Sequence, residues 1–264
     1  MTRIALGIEY DGSRFCGWQT QKSGCAVQDV LEEALSSVAA QRVATICAGR
    51  TDTGVHATAQ VVHFDCDAVR PDTAWVRGVN ALLPDAVAVQ WARMVPDSFH
   101  ARYGALERRY HYLLLDHPVR PALNREHVGW IHQRLEIPPM QEAALALQGI
   151  HDFSAFRASE CQARSPVREL RRLKIERCGD YVVFQLAANA FLHHMVRNIV
   201  GTLAYVGAGR QKPAWVREVL DSGDRSRAAP TIAAAGLYLT GVDYDAGIQL
   251  PASSRRVWFN VPGL

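Results

Sequence analysis

The feature that most constrains the fold of this chain is a repeated alternation of short strands with single helices. Ile4, Leu6, Ile8 and Tyr10 alternate with smaller or polar residues, which predicts a strand with one buried face. Residues 27–38 then carry apolar side chains every three or four positions, as an amphipathic helix does. The same criteria predict further strands at 43–47, 61–64 and 87–94 and a helix at 72–82.

A second, looser round of this alternation fills most of the remaining chain. Strands are predicted at 110–115, 170–175 and 181–186, with a hairpin turn at 178–180 and a last strand that contains Leu237 and Leu239. Helices are predicted at 140–148, at 191–206 with Gly207 and Gly209 as the stop, and after Pro213. Strands separated by single helices indicate an α+β protein.

The two rounds predict the domain organisation. We expect an N-terminal α+β half at residues 1–105, a C-terminal α+β half at 106–245 and a tail at 246–264. No stretch rich in Gly, Ser or Pro separates the halves, so they are expected to form one continuous sheet or two tightly packed subdomains. The tail has little periodicity and is expected to be loosely ordered.

The basic residues favour arginine over lysine. Of 29 Lys and Arg residues only three are lysines, namely Lys22, Lys174 and Lys212, and the net charge is +3. Arginine binds phosphate through a planar fork and stacks on nucleobases. A GC-rich genome would enrich arginine without any such role. Composition therefore permits RNA binding and leaves both interpretations open.

Several classes of protein are disfavoured. No apolar run approaches the roughly 18 residues of a membrane helix, and Glu9 follows the first residues too closely for a signal peptide. The six cysteines form no C-x-x-C pair and the ten histidines no H-E-x-x-H motif, so no zinc site is expected. We expect a cytoplasmic protein with free thiols, without a metal and without a membrane partner.

The densest polar segment joins two predicted strands and reads Gly49-Arg50-Thr51-Asp52-Thr53-Gly54-Val55-His56. A phosphate-binding P-loop would need Lys and Ser or Thr where Val55 and His56 follow the second glycine, so that interpretation fails. No G-x-G-x-x-G motif supports a dinucleotide cofactor. Two interpretations remain from the residues alone: a turn in which Asp52 caps backbone amides, or a loop in which Arg50 holds phosphate while Asp52 faces a base.

The segment is similar to the G-R-T-D-x-G-V-H signature of the tRNA pseudouridine synthase A family, whose commonest form has alanine where this chain has Thr53. Further matching segments occur in the family's order and span about Ile4 to Tyr244. They are Phe99-His100-Ala101-Arg102, Arg109-Tyr110-His111-Tyr112, Ser154-Ala155-Phe156-Arg157, Phe191-Leu192-His193-His194-Met195-Val196-Arg197-Asn198 and Gly236-Leu237-Tyr238-Leu239.

The resemblance implies an isomerase that converts uridine to pseudouridine at positions 38, 39 and 40 of the tRNA anticodon stem-loop. It implies two similar halves that share a mostly antiparallel sheet, with the active cleft between them, and a homodimer that binds tRNA without a metal or organic cofactor. Asp52 matches the essential aspartate. A carboxylate can add to C1′ of the ribose, add to C6 of uracil, or abstract a ribose proton, and the sequence does not choose among these.

The resemblance also implies roles for other residues. Arg197 matches the arginine that pairs with the aspartate, and a cation there would lower the carboxyl pKa. Tyr110 matches the tyrosine that lies against the target base, Leu237 the apolar residue on its other face, and Arg50 is expected to organise the flipped nucleotide. Taken singly, these positions also fit an exposed arginine, a half-buried strand tyrosine and a core leucine.

Contacts to the rest of the RNA are expected mainly from arginines. The candidates are Arg102, Arg108, Arg109, Arg157, Arg164, Arg168, Arg171, Arg172 and His193, with Arg157 and Arg164 ahead of Arg171 and Arg172. Two other classes of function fit parts of the pattern. An RNA-binding module without catalysis would keep the arginines and have no need of Asp52, and a nucleoside or nucleotide hydrolase would use Asp52 as a base.

Overall fold

The computed structural model of the chain describes residues 1–251 and contains ten strands and four α-helices over that range. The strands are β1 (Thr2–Tyr10), β2 (Ile46–Cys47), β3 (His56–Cys66), β4 (Val87–Met94), β5 (Glu107–Asp116), β6 (Gly129–Ile131), β7 (Gly149–Asp152), β8 (Val167–Cys178), β9 (Tyr181–Ala188) and β10 (Leu237–Asp243). The helices are α1 (Val27–Ala39), α2 (Ile137–Leu145), α3 (Met195–Gly207) and α4 (Ala214–Ser222). A π-helical segment covers Ala74–Gly78.

The chain divides into two compact units. Of the described residues, the first unit comprises Met1–Glu107 and residues 238–251, and the second comprises Arg108–Leu237. Each unit combines helices with a mostly antiparallel sheet, so the predicted α+β class is confirmed.

The sheet of the first unit is centred on β1 and β3. Strand β1 pairs antiparallel with β3 and with β4, and β2 pairs antiparallel with β3. Strand β10 pairs in parallel with β3, so that Tyr238 lies opposite His56 and Leu239 opposite Ala57. The sequence assigned residues 238–245 to the C-terminal half. The structure groups them with the first unit, because this pairing over a long sequence separation leaves no trace in local periodicity.

The sheet of the second unit has the order β6-β5-β9-β8-β7, in which only the β5–β6 pair is parallel. The hairpin between β8 and β9 turns at Gly179, which has a positive φ of 59°, as the predicted turn requires. Helix α3 buries Met195, Ile199, Val200 and Leu203, which belong to the predicted apolar stripe.

Several predicted boundaries were wrong. Helix α3 begins at Met195 and not near 191, because His194 adopts the left-handed conformation with φ 62° and interrupts the helix. The strand predicted at 43–47 shrinks to Ile46–Cys47. Strands β6 and β7, of three and four residues, were not predicted because so short a segment shows no measurable period.

The expectation of free thiols was wrong for two cysteines. Cys16 and Cys25 form a disulfide, with their α-carbons 5.5 Å apart, a usual separation for this bond. The Cys16 N–H also donates to the Cys25 carbonyl, so the intervening chain closes into a loop that brings the two sulfurs together. Among the described residues, Cys47, Cys66, Cys161 and Cys178 form no disulfide.

The start of the predicted tail is packed on the first unit. Ile248 and Leu250 contact a core cluster that contains Ala5, Val61 and Phe99. Residues 246–251 are therefore more ordered than expected, and the rest of the tail lies outside the described residues. Within residues 1–251, no helix combines the length and the apolar character needed to cross a membrane.

Candidate functional site

The signature loop connects β2 to β3 in the first unit. Its second part is a turn in which the Val55 N–H donates to the Asp52 carbonyl over 3.1 Å. Gly54, the third residue of this turn, has a φ of 76° that favours glycine. The turn explains the spacing of the signature: it begins at Asp52, and the position two residues later is the one whose backbone favours glycine. Asp52 is half-buried and Arg50 is exposed, so the loop presents both side chains with access to solvent.

Two glycines allow the chain after β1 to approach this loop closely. A β-carbon on Gly12 would lie 1.9 Å from the Val55 carbonyl oxygen, and one on Gly17 would lie 2.9 Å from the Thr51 carbonyl oxygen. Trp18 then donates its N–H to the same Thr51 oxygen over 2.9 Å. Backbone therefore packs directly on backbone at both ends of the segment that holds Asp52.

Buried polar side chains reach the loop from beneath. The Thr51 hydroxyl lies 2.7 Å from the Tyr10 hydroxyl, and both residues are buried. The Gln60 carboxamide, which is fully buried, contacts both backbone polar groups of Gly49. The loop is thus fixed by named hydrogen bonds, although it connects two strands.

His56, the last residue of the signature, is buried at the start of β3. Its Nδ1 accepts a hydrogen bond from the Gly12 N–H and lies 3.1 Å from an Asp11 carboxylate oxygen. Its ring stacks on Tyr238 with centroids 4.7 Å apart. The contact with His56 is the main reason why the pKa of Asp11 lies below its usual value. Burial raises the pKa of Tyr238. His56 therefore joins β3, the chain after β1 and β10 within one unit.

Tyr110 lies in the second unit on β5, opposite Leu186 of β9. Only 8% of the surface of Tyr110 is exposed. Its ring packs edge-to-face with the ring of Phe191, and the two ring centroids are 5.1 Å apart. Phe191 belongs to the same matching segment as Arg197, so two of the segments that carry the family resemblance meet here.

Arg197 lies in the first turn of α3 and is half-buried. Its Nε donates to the Ile232 carbonyl over 2.9 Å, which fixes the plane of the guanidinium group. Its positive charge also opposes the rise in the pKa of Tyr112 that burial causes.

Leu237 is buried at the start of β10 and follows a glycine in tight contact with β5. A β-carbon on Gly236 would lie 2.3 Å from the Leu113 carbonyl oxygen, and the Leu113 N–H donates to the Gly236 carbonyl. The backbone before Leu237 is therefore held against the strand that carries Tyr110.

One sequence-based placement was wrong. His193 falls within the helix predicted at 191–206, but it precedes α3, because the chain at His194 is left-handed. The His193 carbonyl accepts from the Ala158 N–H, and the His193 N–H contacts the Cys161 sulfur. This anchoring explains why an apolar helical pattern at 191–194 does not form helix.

The arginines predicted to contact RNA differ in exposure. Arg102 and Arg164 are exposed, whereas Arg109 and Arg157 are half-buried. Arg157 donates to the Cys161 carbonyl over 2.7 Å, so part of its guanidinium is engaged within the protein. Arg102 lies 5.7 Å from the ring centre of Tyr103, which is 78% exposed. Of the lower-ranked candidates, Arg108 is buried, Arg168 half-buried, and Arg171 and Arg172 exposed.

Sequence reasoning missed the residues that support the loop, namely Tyr10, Gly12, Gly17 and Gln60. Tyr10 and Gly12 were noticed only as the end of a strand and a turn. Gln60 interrupts an apolar strand, and a polar residue at such a position is usually solvent-facing. In the structure, however, Gln60 lies in an eleven-residue strand that is buried over most of its length.

The amino-acid sequence of this chain is similar to those of known proteins. A family model described as tRNA pseudouridine synthase matches residues 7–104 and 143–245. The tRNA pseudouridine synthase A of Thiobacillus denitrificans is 59% identical over 256 residues, covering 97% of this chain and 98% of the relative. The enzymes of the same name from Dechloromonas aromatica and Burkholderia mallei are 56% and 53% identical and cover 94% and 100% of this chain, and 95% and 99% of their own lengths.

Proposed function

Because this chain belongs to the tRNA pseudouridine synthase family, we propose that it isomerises uridine to pseudouridine at positions 38, 39 and 40 of the tRNA anticodon stem-loop. The observation that carries the proposal is the loop around Asp52. Its carboxylate is half-buried on a turn that backbone contacts and buried side chains hold in place. A reactive group on a rigid support is what catalysis by positioning requires.

The reaction exchanges one bond to the ribose for another. The N1–C1′ bond breaks, the base turns, and a C5–C1′ bond forms, while the C5 proton is lost and N1 gains one. The isomerisation is redox-neutral and needs no electron acceptor. The proposal includes no metal or organic cofactor. Asp52 acts in its ionised form, either as a nucleophile toward C1′ or C6 or as a base toward a ribose proton.

We assign four further residues to the substrate. Tyr110 lies against one face of the uracil and Leu237 against the other, and Arg197 pairs with the Asp52 carboxylate. Arg50 organises the extruded nucleotide. These assignments rest on the family resemblance, and two of them are supported by contacts that orient the side chain, namely Tyr110 with Phe191 and Arg197 with the Ile232 carbonyl.

The target uridine must leave the base stack, which costs on the order of a few kcal/mol. Contacts to the rest of the tRNA offset that cost. We propose Arg102, Arg109, Arg157, Arg164 and His193 for these contacts. The exposed Tyr103 ring beside Arg102 also offers a stacking surface for an unpaired base.

We further propose that the protein acts in the cytoplasm, where tRNA is modified, and as a homodimer. The second unit exposes Val119 and Leu123 between β5 and β6 and Trp130 in β6, and exposed apolar side chains favour self-association. Light scattering on the purified protein tests this directly: the mass of two chains is expected, and the mass of one would contradict the dimer.

The activity is tested by mapping pseudouridine in a tRNA transcript after incubation with the protein. A carbodiimide adduct that stops reverse transcription is expected at uridines 38, 39 and 40 and not in transcripts with cytidine at those positions. A parallel assay for free uracil separates the hydrolase alternative, because an isomerase keeps the base attached to the RNA. Uracil release without pseudouridine would reject the proposal, and EDTA is expected to leave the activity unchanged.

A further inference from the structure

Gln60 is a polar residue in the interior of the first unit. Its side chain is fully buried on β3, opposite Ile8 of β1. Burial of an amide without hydrogen bonds is destabilising, so the partners of the Gln60 carboxamide matter. Those partners lie in the loop that carries Asp52 and in the side chain of Tyr10.

We propose that Gln60 is a positioning residue of the isomerisation. Its carboxamide fixes the first residue of the signature loop and so sets the direction in which Asp52 is presented. This inference rests on the proposed function, since it assigns Gln60 a part in the reaction that Asp52 performs.

The contact with Gly49 uses both ends of the amide. Gln60 Nε2 donates to the Gly49 carbonyl oxygen over 2.6 Å, and Oε1 accepts from the Gly49 N–H over 3.4 Å. The donor and acceptor of Gly49 dictate the orientation of the amide, because the opposite orientation would set oxygen against oxygen. Two hydrogen bonds to one residue restrain its rotation as well as its position.

A second path leads from Gln60 to Thr51, the residue before Asp52. Gln60 Nε2 lies 3.4 Å from the Tyr10 hydroxyl oxygen, which is 2.7 Å from the Thr51 hydroxyl. The amide donates to the Tyr10 hydroxyl, and the Tyr10 and Thr51 hydroxyls share a hydrogen bond in which either can be the donor. The loop is then restrained at Gly49 and at Thr51, on both sides of Arg50 and immediately before Asp52.

The strand itself does not depend on the carboxamide. The Ala48 N–H donates to the Val61 carbonyl over 2.8 Å through backbone alone, and β3 keeps its pairing with β1. Loss of the amide is therefore expected to release the loop beyond Ala48 while the sheet stays intact. That separates a positioning role from a purely structural one.

The first test is Gln60→Met, which keeps the length of the side chain and removes all three hydrogen bonds of the carboxamide. Under single-turnover conditions the rate of pseudouridine formation is expected to fall by about 10- to 100-fold, the loss associated with misplacement of a reactive group. The affinity for tRNA is expected to stay within about twofold, because no RNA contact is removed.

The second test is Gln60→Glu, which gives a pH signature. A protonated carboxyl keeps one donor and one acceptor toward Gly49, whereas a carboxylate has no donor. Burial raises the pKa of such a group. The rate relative to wild type is therefore expected to increase as the pH falls from 8.5 to 5.5. The relative rate of Gln60→Met is expected to stay flat over the same range.

Gln90→Met is the matched control. Gln90 is a half-buried glutamine of the same unit whose amide donates to Glu9 and to the Thr58 carbonyl, outside the signature loop. Its rate is expected to stay within twofold of wild type.

The outcomes separate the two proposals. A folded wild-type protein that forms no pseudouridine rejects the proposed function. An active wild type with Gln60→Met at full rate overturns the role of Gln60. If Gln60→Met does not fold, Gln60→Glu decides: a relative rate that rises toward acid supports positioning, and a relative rate without pH dependence overturns it.

Discussion

The loop that carries Asp52 and the helix that carries Arg197 are held by similar groups in different ways. Each region contains a carboxamide with 0% exposure, Gln60 in the first unit and Asn198 in the second. Gln60 bonds directly to the backbone of the functional loop. Asn198 is the neighbour of Arg197 in α3, and it bonds instead to elements packed against the helix.

The partners of Asn198 show the difference. Its Nδ2 donates to the Phe156 carbonyl over 2.8 Å, and its Oδ1 accepts from Arg225 and Thr231 over 3.0 and 2.6 Å. Ile232, whose carbonyl orients Arg197, follows Thr231 directly. The helix is already rigid through its own backbone, so its amide fastens neighbouring segments. The loop has no such rigidity, and its amide restrains the loop itself.

The comparison therefore predicts that loss of the carboxamide of Gln60 affects turnover more than stability, and that loss of the carboxamide of Asn198 affects stability more than turnover.

The largest effect is expected from Asp52→Asn, which removes the charge and keeps the shape. The single-turnover rate is expected to fall by roughly 10³-fold or more, with tRNA affinity and melting temperature close to wild type. Asp85→Asn, at an exposed aspartate of the same unit, is the control and should retain the rate. Retained turnover in Asp52→Asn would show that the reaction does not depend on the Asp52 carboxylate.

Arg197→Lys is expected to have the next largest effect. Lysine keeps the charge but has no Nε donor for the Ile232 carbonyl, so the cation loses its fixed plane. The rate is expected to fall by about 10- to 100-fold at unchanged melting temperature. The control is Arg217→Lys, whose arginine pairs on the surface of α4 with Asp221. A rate equal to wild type in Arg197→Lys would show that orientation of this cation is unimportant.

Asn198→Leu tests the helix side of the comparison. It leaves the Phe156 carbonyl, Arg225 and Thr231 without this partner, and the free energy of unfolding is expected to drop by about 2–4 kcal/mol in urea titrations. The rate of the folded protein is expected to fall less than tenfold. Asn198→Asp retains the acceptor for Arg225 and Thr231 and should lose less stability. A large rate loss at unchanged stability would break the comparison.

The smallest expected effect is the loss of stability at acid pH, to which one histidine in each unit contributes. Burial lowers the pKa of His63 and of His111 to about 4, so both are neutral in the folded protein at pH 7. Unfolding lets them take up protons below about pH 6.5. Their contribution to stability is therefore complete above that pH and is lost as the pH falls toward 4.

Urea midpoints at pH 7.5 and 5.0 measure this loss, which is expected to be about 1–2 kcal/mol for each histidine at pH 5.0. His63→Gln and His111→Gln should each reduce the difference between the two pH values. An unchanged difference in either variant would show that the acid sensitivity has another origin.

The sequence predicted the parts of the fold that have a clear period. Strands β1, β4, β5, β8 and β9 and helix α1 lie where alternation or helical spacing placed them. It did not predict that β10 pairs with β3, since that contact joins residues far apart in the chain. The start of α3 was wrong because the apolar spacing of 191–192 carries no information on the left-handed His194.

The sequence singled out Asp52 and Arg50 through the signature and Arg197 through the family resemblance, and the roles of these residues stay predictions. The supporting residues were not singled out. Gln60 looks like a solvated strand position until the fold buries it, and the disulfide between Cys16 and Cys25 follows no recognised spacing. Support of this kind depends on which segments meet in space, which local patterns do not report.

The most direct test of the central claim is tritium release from a tRNA labelled at C5 of its uridines. Formation of the new C5–C1′ bond must expel that hydrogen to water, whatever Asp52 attacks. Wild-type protein is expected to release the label from the anticodon stem-loop in step with pseudouridine formation, while Asp52→Asn releases almost none. Folded wild-type protein that binds this tRNA and releases no tritium would contradict the account.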